Sequence, residues 1–313
     1  MRVTYENNRF PLLDHTTTIE AVRTAVSRRQ PFSLIRIGDG EAVALSIDDG
    51  SWLYDLEYLH SHWGAERVTL ADVLSVKSDL AAATRGADIV GVRDDIVDVN
   101  LPPRLLDLPL ADIGAFVRSN FHLRSNEAAR LGNAGARRLA LVHRVMSGFD
   151  WSPEQRFCSA WIHWELLASR VLNDILEEVP RVGLVTSRPE LTAIISKRYD
   201  VQVTTITVPD KFVNVPVPGA HVPDRYREVR SEFRFPEGTP VLVGAGIPGK
   251  VYCQWLKELG CVAIDVGAVL DAWVGMPSRR IVLESRFNVP GGDHVPEELQ
   301  LTISRPPETD TAR

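Results

Sequence analysis

The chain has 313 residues, 44% of them hydrophobic and 24% charged, and its 35 basic and 41 acidic side chains leave a formal net charge of −6. That composition suits a globular protein with ample chain for a core, either one large α/β domain or two smaller ones. The acidic balance argues against a nucleic-acid backbone as principal partner, because that binding runs on clustered Lys and Arg that displace counterions. Cys158, Cys253 and Cys261 are too scattered for a disulfide framework and form no CxxC pair, which fits a reducing cytoplasm. The opening MRVTYENNRFPLLDH lacks the apolar core of a signal peptide, and no run reaches the roughly 18 apolar residues of a membrane span.

Apolar clusters rich in Val, Ile and Leu alternate with amphipathic stretches, as in strands buried on both faces and covered by helices. The expected fold is α/β and Rossmann-like, a mostly parallel sheet with helices on both faces in a single main domain. In chain order, Thr16 to Arg29 reads as a helix, FSLIRI (32–37) as a buried strand ending at Gly38, and ADIVGV (87–92) as a second strand. Residues 45 to 75 show no clear pattern. Two long helices are expected from Asn126 to Val145 and from Pro153 to Leu176, with SGFDWSP as the turn between them. Four more strands follow: RVGLVTS (181–187), VQVTTITV (201–208), PVLVGAG (240–246) and CVAIDVG (261–267). Residues 209 to 239, rich in proline, read as a surface excursion. Beyond Pro277 the periodicity fades, and RPPETDTAR reads as disordered.

The sharpest feature is Arg36-Ile37-Gly38-Asp39-Gly40-Glu41, where a buried strand gives way to a helix, the edge at which open α/β sheets bind ligands. If Asp39 to Glu41 is extended, both carboxylates project the same way and can reach one cation. Paired hard oxygens suit Mg²⁺ or Mn²⁺ on a diphosphate, with Arg36 adding charge and Gly38 and Gly40 allowing close approach. The competing reading is purely structural: Asp39 caps the helix and Glu41 favours its positive end.

Gly244, Gly246 and Gly249 spell GxGxxG between a strand and a helix, with Asp265 placed to bind a ribose, as in a dinucleotide site. The motif comes late in the chain, Pro248 stiffens its turn, and little sheet follows. The same residues read GxxxxGK up to Lys250, but Val251 replaces the Ser or Thr of a P-loop. What remains is a turn whose amides can bind phosphate or whose glycines admit close packing. In Thr186-Ser187-Arg188-Pro189-Glu190, Ser187 and Glu190 have capping-box spacing, leaving Arg188 to bind a phosphate or an acceptor. Asp265 and Asp271 follow the final strand, where a carboxylate can act as metal ligand, ribose partner or general base. Trp273 is a stacking surface or core. His60 and His62 have chelating spacing on a strand but no third ligand, and Arg130, Arg137, Arg138 and Arg144 read as a solvated helix face.

FSLIRIGDGE, GLVTSRPEL and VLVGAGIPGKVYCQWLKELGCVAIDVGAVLDAW together resemble the GT-D type glycosyltransferases and their relatives, over most of residues 31 to 275. The resemblance implies a Rossmann-like fold with a divalent metal and a nucleotide-sugar diphosphate on Asp39 and Glu41, and with Arg36 in the same signature. It turns the late GxGxxG into part of a nucleotide-sugar site. Where the best-known members carry a histidine after the last Asp-Ile-Gly, this chain has Ala268.

The domain reading that follows is a GT-D-like catalytic domain over 1–278, with a helical insertion at about 110–178, and an irregular tail over 279–313. The expected activity is metal-dependent transfer of a sugar from a nucleoside-diphosphate donor to a glycan, glycoprotein or glycolipid hydroxyl. Asp39, Glu41 and Asp271 would be catalytic, and Asp39 and Glu41 would also ligate Mn²⁺ or Mg²⁺. Arg36, Gly38, Gly40, Ser187, Arg188, Gly244, Gly246 and Asp265 would hold the donor. The alternatives are an NAD-dependent oxidoreductase using the late GxGxxG and a non-catalytic nucleotide-sugar binding module. A cytoplasmic location without nucleic acid or a transmembrane segment is expected, and assembly into a homo-oligomer stays open.

Overall fold

The computed structural model describes the chain apart from residues 1, 6–7, 48–51, 64–67, 95–100, 122, 124–130, 210–219 and 302–313. Nine strands are present among the described residues: β1 Arg2–Tyr5, β2 Asn8–Pro11, β3 Phe32–Arg36, β4 Ile89–Val92, β5 Arg156–Ser159, β6 Arg181–Thr186, β7 Gln202–Thr207, β8 Pro240–Gly244 and β9 Val262–Asp265. The first two form an antiparallel ribbon, and the other seven form one all-parallel sheet in the order β5-β4-β3-β9-β8-β6-β7. This is the expected α/β architecture in a single domain.

Each central strand sends alternate side chains to opposite faces. Ile35 of β3, Val241 and Val243 of β8 and Ala263 of β9 enter one core, while Phe32 and Leu34 of β3, Leu242 of β8 and Val262 and Ile264 of β9 enter the other. The strands therefore read as continuous apolar runs because both faces are buried. The first core packs against α2 Asp39–Ser46, α3 Trp52–Trp63, α4 Leu70–Gly86, α5 Leu110–Asn120, α6 Asn133–Gly148, α10 Tyr226–Glu232 and α11 Pro248–Glu258. The second packs against α1 His15–Ser27, α7 Ile162–Ala168, α8 Val171–Glu178, α9 Leu191–Tyr199, α12 Val269–Trp273 and α13 Arg280–Phe287. Among the described residues, no helix is long and apolar enough to cross a membrane.

Several expectations need correction. The helix expected from Pro153 to Leu176 is instead β5 followed by α7 and α8. RFCS pairs in parallel with β4, and Arg170, at φ 59° in the left-handed region, separates the two helices. The unreadable stretch 45–75 contains α3 and the start of α4, which a Thr69–Asp72 capping box begins. The helix expected from Asn126 starts at Asn133, with residues 124–130 outside the described set. Past Pro277, where periodicity fades, the chain forms α13 and two short 3₁₀ turns, while RPPETDTAR lies outside the described residues.

The arginines of α6 are not a uniformly solvated face, although Arg130 lies outside the described residues. Arg137 is buried and grips the carboxylate of Asp55 with both guanidinium nitrogens, at 2.5 and 3.2 Å, tying α6 to α3. Breaking one side of a buried pair strands the other charge, at a cost of about 3–5 kcal/mol. Asp55→Ala is therefore expected to lower the urea midpoint by an amount corresponding to about 3–5 kcal/mol, as read by equilibrium unfolding followed by circular dichroism.

Candidate active site at the carboxyl edge of the sheet

The parallel register decides which side chains meet. Leu34 of β3 lies opposite Ile264 of β9, and Val243 of β8 opposite Asp265, so Arg36 and Asp265 emerge side by side at the carboxyl ends of the strands. The chain leaves β6 toward β7 on one side and β8 toward β9 on the other, which opens a crevice at this edge. A cleft of about 200 Å³ occupies it. Arg36, Gly38, Asp39, Gly40, Glu41, Ser187, Gly244, Gly246 and Asp271 all line it, so nine of the residues singled out in the sequence converge on one place. Arg188 and Asp265 lie behind this wall.

Asp39 and Glu41 are not on an extended segment. They are the first and third residues of α2, and at 3.6 residues per turn positions two apart point about 200° away from each other. Asp39 turns toward α3 and α6: its Oδ2 accepts from the Tyr58 hydroxyl at 3.1 Å and lies 3.7 Å from Arg138 Nε. Arg138 in turn lies over the Tyr58 ring, 4.3 Å from its centroid. Glu41 turns inward, 7% exposed, and its Oε2 accepts from the Gly38 amide at 2.8 Å, the helix-start role that the structural reading assigns it.

Glu41 Oε1 lies 2.9 Å from Nζ of Lys250. Lys250 is the third residue of α11, 5% exposed, and also reaches Asp265 Oδ2 at 3.1 Å and the Gly246 carbonyl at 3.1 Å. One ammonium therefore has three oxygens around it, and the contact to Asp265 is an ion pair off the hydrogen-bonding direction. The other oxygen of Asp265 accepts from Arg36 Nη2 at 3.0 Å, and Asp265 is only 1% exposed. Arg36 Nη1 reaches the His163 ring, 3.0 Å from Nδ1 and 3.1 Å from Nε2. His163 Nδ1 lies 3.1 Å from the Ala160 carbonyl, which assigns the proton to Nδ1 and leaves Nε2 to accept.

These contacts set the charge states. Burial would raise the Asp265 carboxyl, but Arg36 and Lys250 outweigh it and hold the group below its usual range. Burial would lower the Lys250 ammonium, yet Asp265 and Glu41 raise it above its usual value. Burial and the charges of Arg36 and Arg279 push His163 well below the usual histidine range, so it stays neutral. Asp39, against the pull of burial, is held low by Arg279, Arg138 and Arg93. The thiols of Cys158 and Cys261 are pushed up by burial to about 12 and about 11, which removes them as nucleophiles.

Other sequence-predicted residues find structural roles. Arg188 is fully buried and paired with Asp271 Oδ1 at 2.6 Å, while Ser278 donates to Oδ2 of the same carboxylate. Arg188 is thus spoken for inside the protein, and the Asp271 carboxylate is engaged by two donors. The Ser187–Glu190 capping box does not form, because α9 starts at Leu191 and the Arg188 amide bonds Thr186 Oγ1 at 3.1 Å. Trp273 is core. His60 and His62 lie on a helix, each with a ring nitrogen at a backbone carbonyl, Val68 at 3.0 Å and Tyr58 at 2.8 Å.

The glycine-rich turn after β8 packs more than it cradles. A Cβ on Gly244 would meet Leu270 and the Gly267 carbonyl, whereas Gly246 needs its φ of +59° for the turn and has open space around it. Asp265, the acid expected to bind a ribose, is sealed between Arg36 and Lys250, so the NAD reading loses its recognition residue. The residues also do not fit a two-carboxylate metal clamp. Both oxygens of Glu41 and both of Asp265 are committed, and Asp39 points to the other side of α2 among arginines. Among the described residues, no group of three or more His, Cys, Asp or Glu side chains could hold a metal ion.

Tyr58, His62, His163, His221, Ser278 and Arg279 also line the cleft and were not singled out as site residues in the sequence. Arg279 is exposed at the mouth. Arg93 packs over Trp161, 5.0 Å from the ring centroid.

A family model described as GT-D fold-like domain matches residues 13–105 and 127–273. Two solved structures align over 82% of this chain and 78% of their own. One, described as a selenomethionine form of domain of unknown function 1792, is 12% identical with a TM-score of 0.49. The other, 13% identical with a TM-score of 0.47, is described as showing that this highly conserved domain has a distinct glycosyltransferase fold. No curated protein sequence matches.

Two predictions follow from the geometry. Gly267 has φ +49°, and a Cβ there would run into the Arg36 guanidinium. Gly267→Ala is expected to cost about 1–3 kcal/mol in stability and to displace Arg36, as checked by thermal melting and by the histidine NMR signal of His163. The second concerns pH. Asp265, depressed from 3.8, contributes stability that is present above that value and lost as pH falls through its folded pKa. Lys250, raised from 10.5, contributes stability that is present below that value and lost as pH rises through its folded pKa. The contribution of this pair to the melting temperature should be level between about pH 5 and 9; a step within that window assigned to either group would contradict the pairing.

Proposed function

Because the chain belongs to the GT-D fold-like domain family, a glycosyltransferase fold, we propose that it transfers a sugar from a nucleoside-diphosphate donor to a hydroxyl of a glycan or glycoconjugate. The observation that carries this reading is the cleft itself. It gathers Arg36, Lys250 and Arg279 with the starts of α2 and α11 at the carboxyl edge of a parallel sheet. Helix starts present free amides and a positive dipole end, which favour phosphate oxygens.

In this reading the diphosphate lies against the starts of the two helices, with Arg279 closing on it from the exposed mouth. As the glycosidic bond breaks, the diphosphate leaving group gains negative charge, and fixed cations stabilise that change without reorganising. Asp39 has a half-exposed side chain and keeps one carboxylate oxygen clear of protein hydrogen bonds among the described residues. It serves to accept hydrogen bonds from sugar hydroxyls. Glu41, Asp265 and Lys250 hold the floor of the site in place, and Asp271 with Arg188 holds the wall opposite.

A panel of nucleoside diphosphates and their sugars tests this by thermal shift, since a ligand that binds only the folded state raises the melting temperature by mass action. One nucleotide should stand out, and its sugar should be transferred or slowly hydrolysed. Binding without any turnover, across a panel of glycan acceptors, would leave a nucleotide-sugar binding module instead. Arg279→Ala removes a charge-assisted hydrogen bond to the diphosphate, and is expected to weaken binding about 10- to 100-fold while leaving the melting temperature of the free protein unchanged.

A further inference from the structure

The cation that the sequence motif calls for is already present in the protein. Lys250 Nζ sits 2.9 Å from Glu41 and 3.1 Å from Asp265, at the floor of the cleft. Nζ also donates to the Gly246 carbonyl at 3.1 Å. The Gly38 amide takes the second oxygen of Glu41 at 2.8 Å, and Arg36 takes the second oxygen of Asp265 at 3.0 Å. The four groups, two acids and two bases, sum to zero charge. A divalent ion placed between the two carboxylates would have to expel the ammonium into a buried space without a partner, or sit a few ångströms from it and be repelled.

Asp39 offers no better place. It lies on the other face of α2, with Arg138 at 3.7 Å and with the charges of Arg279 and Arg93 acting on it. Such surroundings favour an anion's approach over that of a dication.

Resting on the donor-binding reading above, we infer that Lys250 takes the place between Glu41 and Asp265 that a divalent metal would fill, so that the nucleoside-diphosphate donor is bound without Mn²⁺ or Mg²⁺. Lys250 neutralises the two acids of the floor, and Arg279 at the exposed mouth supplies the positive charge that meets the diphosphate.

The test uses the full-length protein and titrates UDP, GDP, CDP and dTDP by calorimetry, once with excess EDTA and once with Mn²⁺. The nucleotide that binds is expected to do so with an affinity that differs less than about threefold between the two conditions, and Mn²⁺ alone should leave the melting temperature where it is. Binding that appears only with Mn²⁺, or tightens about tenfold or more, would overturn the inference while sparing the donor-binding reading. Absence of binding for every nucleotide under both conditions would overturn the donor-binding reading itself, and the inference with it. A gain-of-binding variant gives an independent measure. Lys250→Ala leaves Glu41 and Asp265 facing an empty space, so Mn²⁺, followed by electron paramagnetic resonance of the free ion, should bind this variant and raise its melting temperature, but do neither to the parent protein. Mn²⁺ binding to the parent, with the same stoichiometry as to a folded Lys250→Ala variant, would overturn it. Should that variant fail to fold, the EDTA and Mn²⁺ titrations of the parent decide the matter unaided.

Discussion

One buried ammonium organises the site. Lys250 joins the start of α11 to the start of α2 through Glu41 and to the end of β9 through Asp265. Arg36 then extends the charge chain to the end of β3 and to His163 on α7. A charge taken out of water is tolerated only when paired and hydrogen-bonded. The pairing of these groups therefore constrains five elements to one relative placement. Around them, glycines occur where a side chain would collide: Gly91 beneath the Arg36 stem and Gly267 beside its guanidinium.

The same constraint separates binding surface from scaffold. Groups sealed inside, Asp265 beside Lys250 and Arg36 and Arg188 beside Asp271, look functional by residue type but are buried and ion-paired within the protein. Groups at the margin keep capacity for a ligand. Asp39 has an oxygen to spare and Arg279 is exposed at the mouth. The electrostatic character of the cleft follows: neutral and rigid in its floor, cationic at its rim, with helix starts between. This is the polarity that a leaving diphosphate requires.

The legible parts of the molecule were those with a local signature. Strands buried on both faces announced themselves as short apolar runs, and the cleft residues at their ends, from Arg36 to Glu41 and from Gly244 to Gly246, were visible as breaks after such runs. Helix α3 was not legible because it carries the buried acid Asp55, whose partner Arg137 is on a distant helix, so its polar and apolar residues do not sort into a simple stripe. Strand β5 was hidden because its four residues run almost directly into the apolar residues of α7, and a short strand followed by a buried helix has the same composition as one longer helix.

Sequence alone determined the chain's class of fold, the alternation of strands and helices, and the edge of the sheet at which the cleft opens, because burial and turn formation leave periodic marks on neighbouring residues. It also placed acids and bases near that edge. The pairing among them was decided only by tertiary structure. Whether Glu41 faces a metal or Lys250, and whether Asp265 faces a ribose or Arg36, depends on the register of β3 against β9 and on the angle at which two helices start. Those relations join residues far apart along the chain, and the energy of an ion pair depends on separation and burial in space, for which a linear pattern carries no signal.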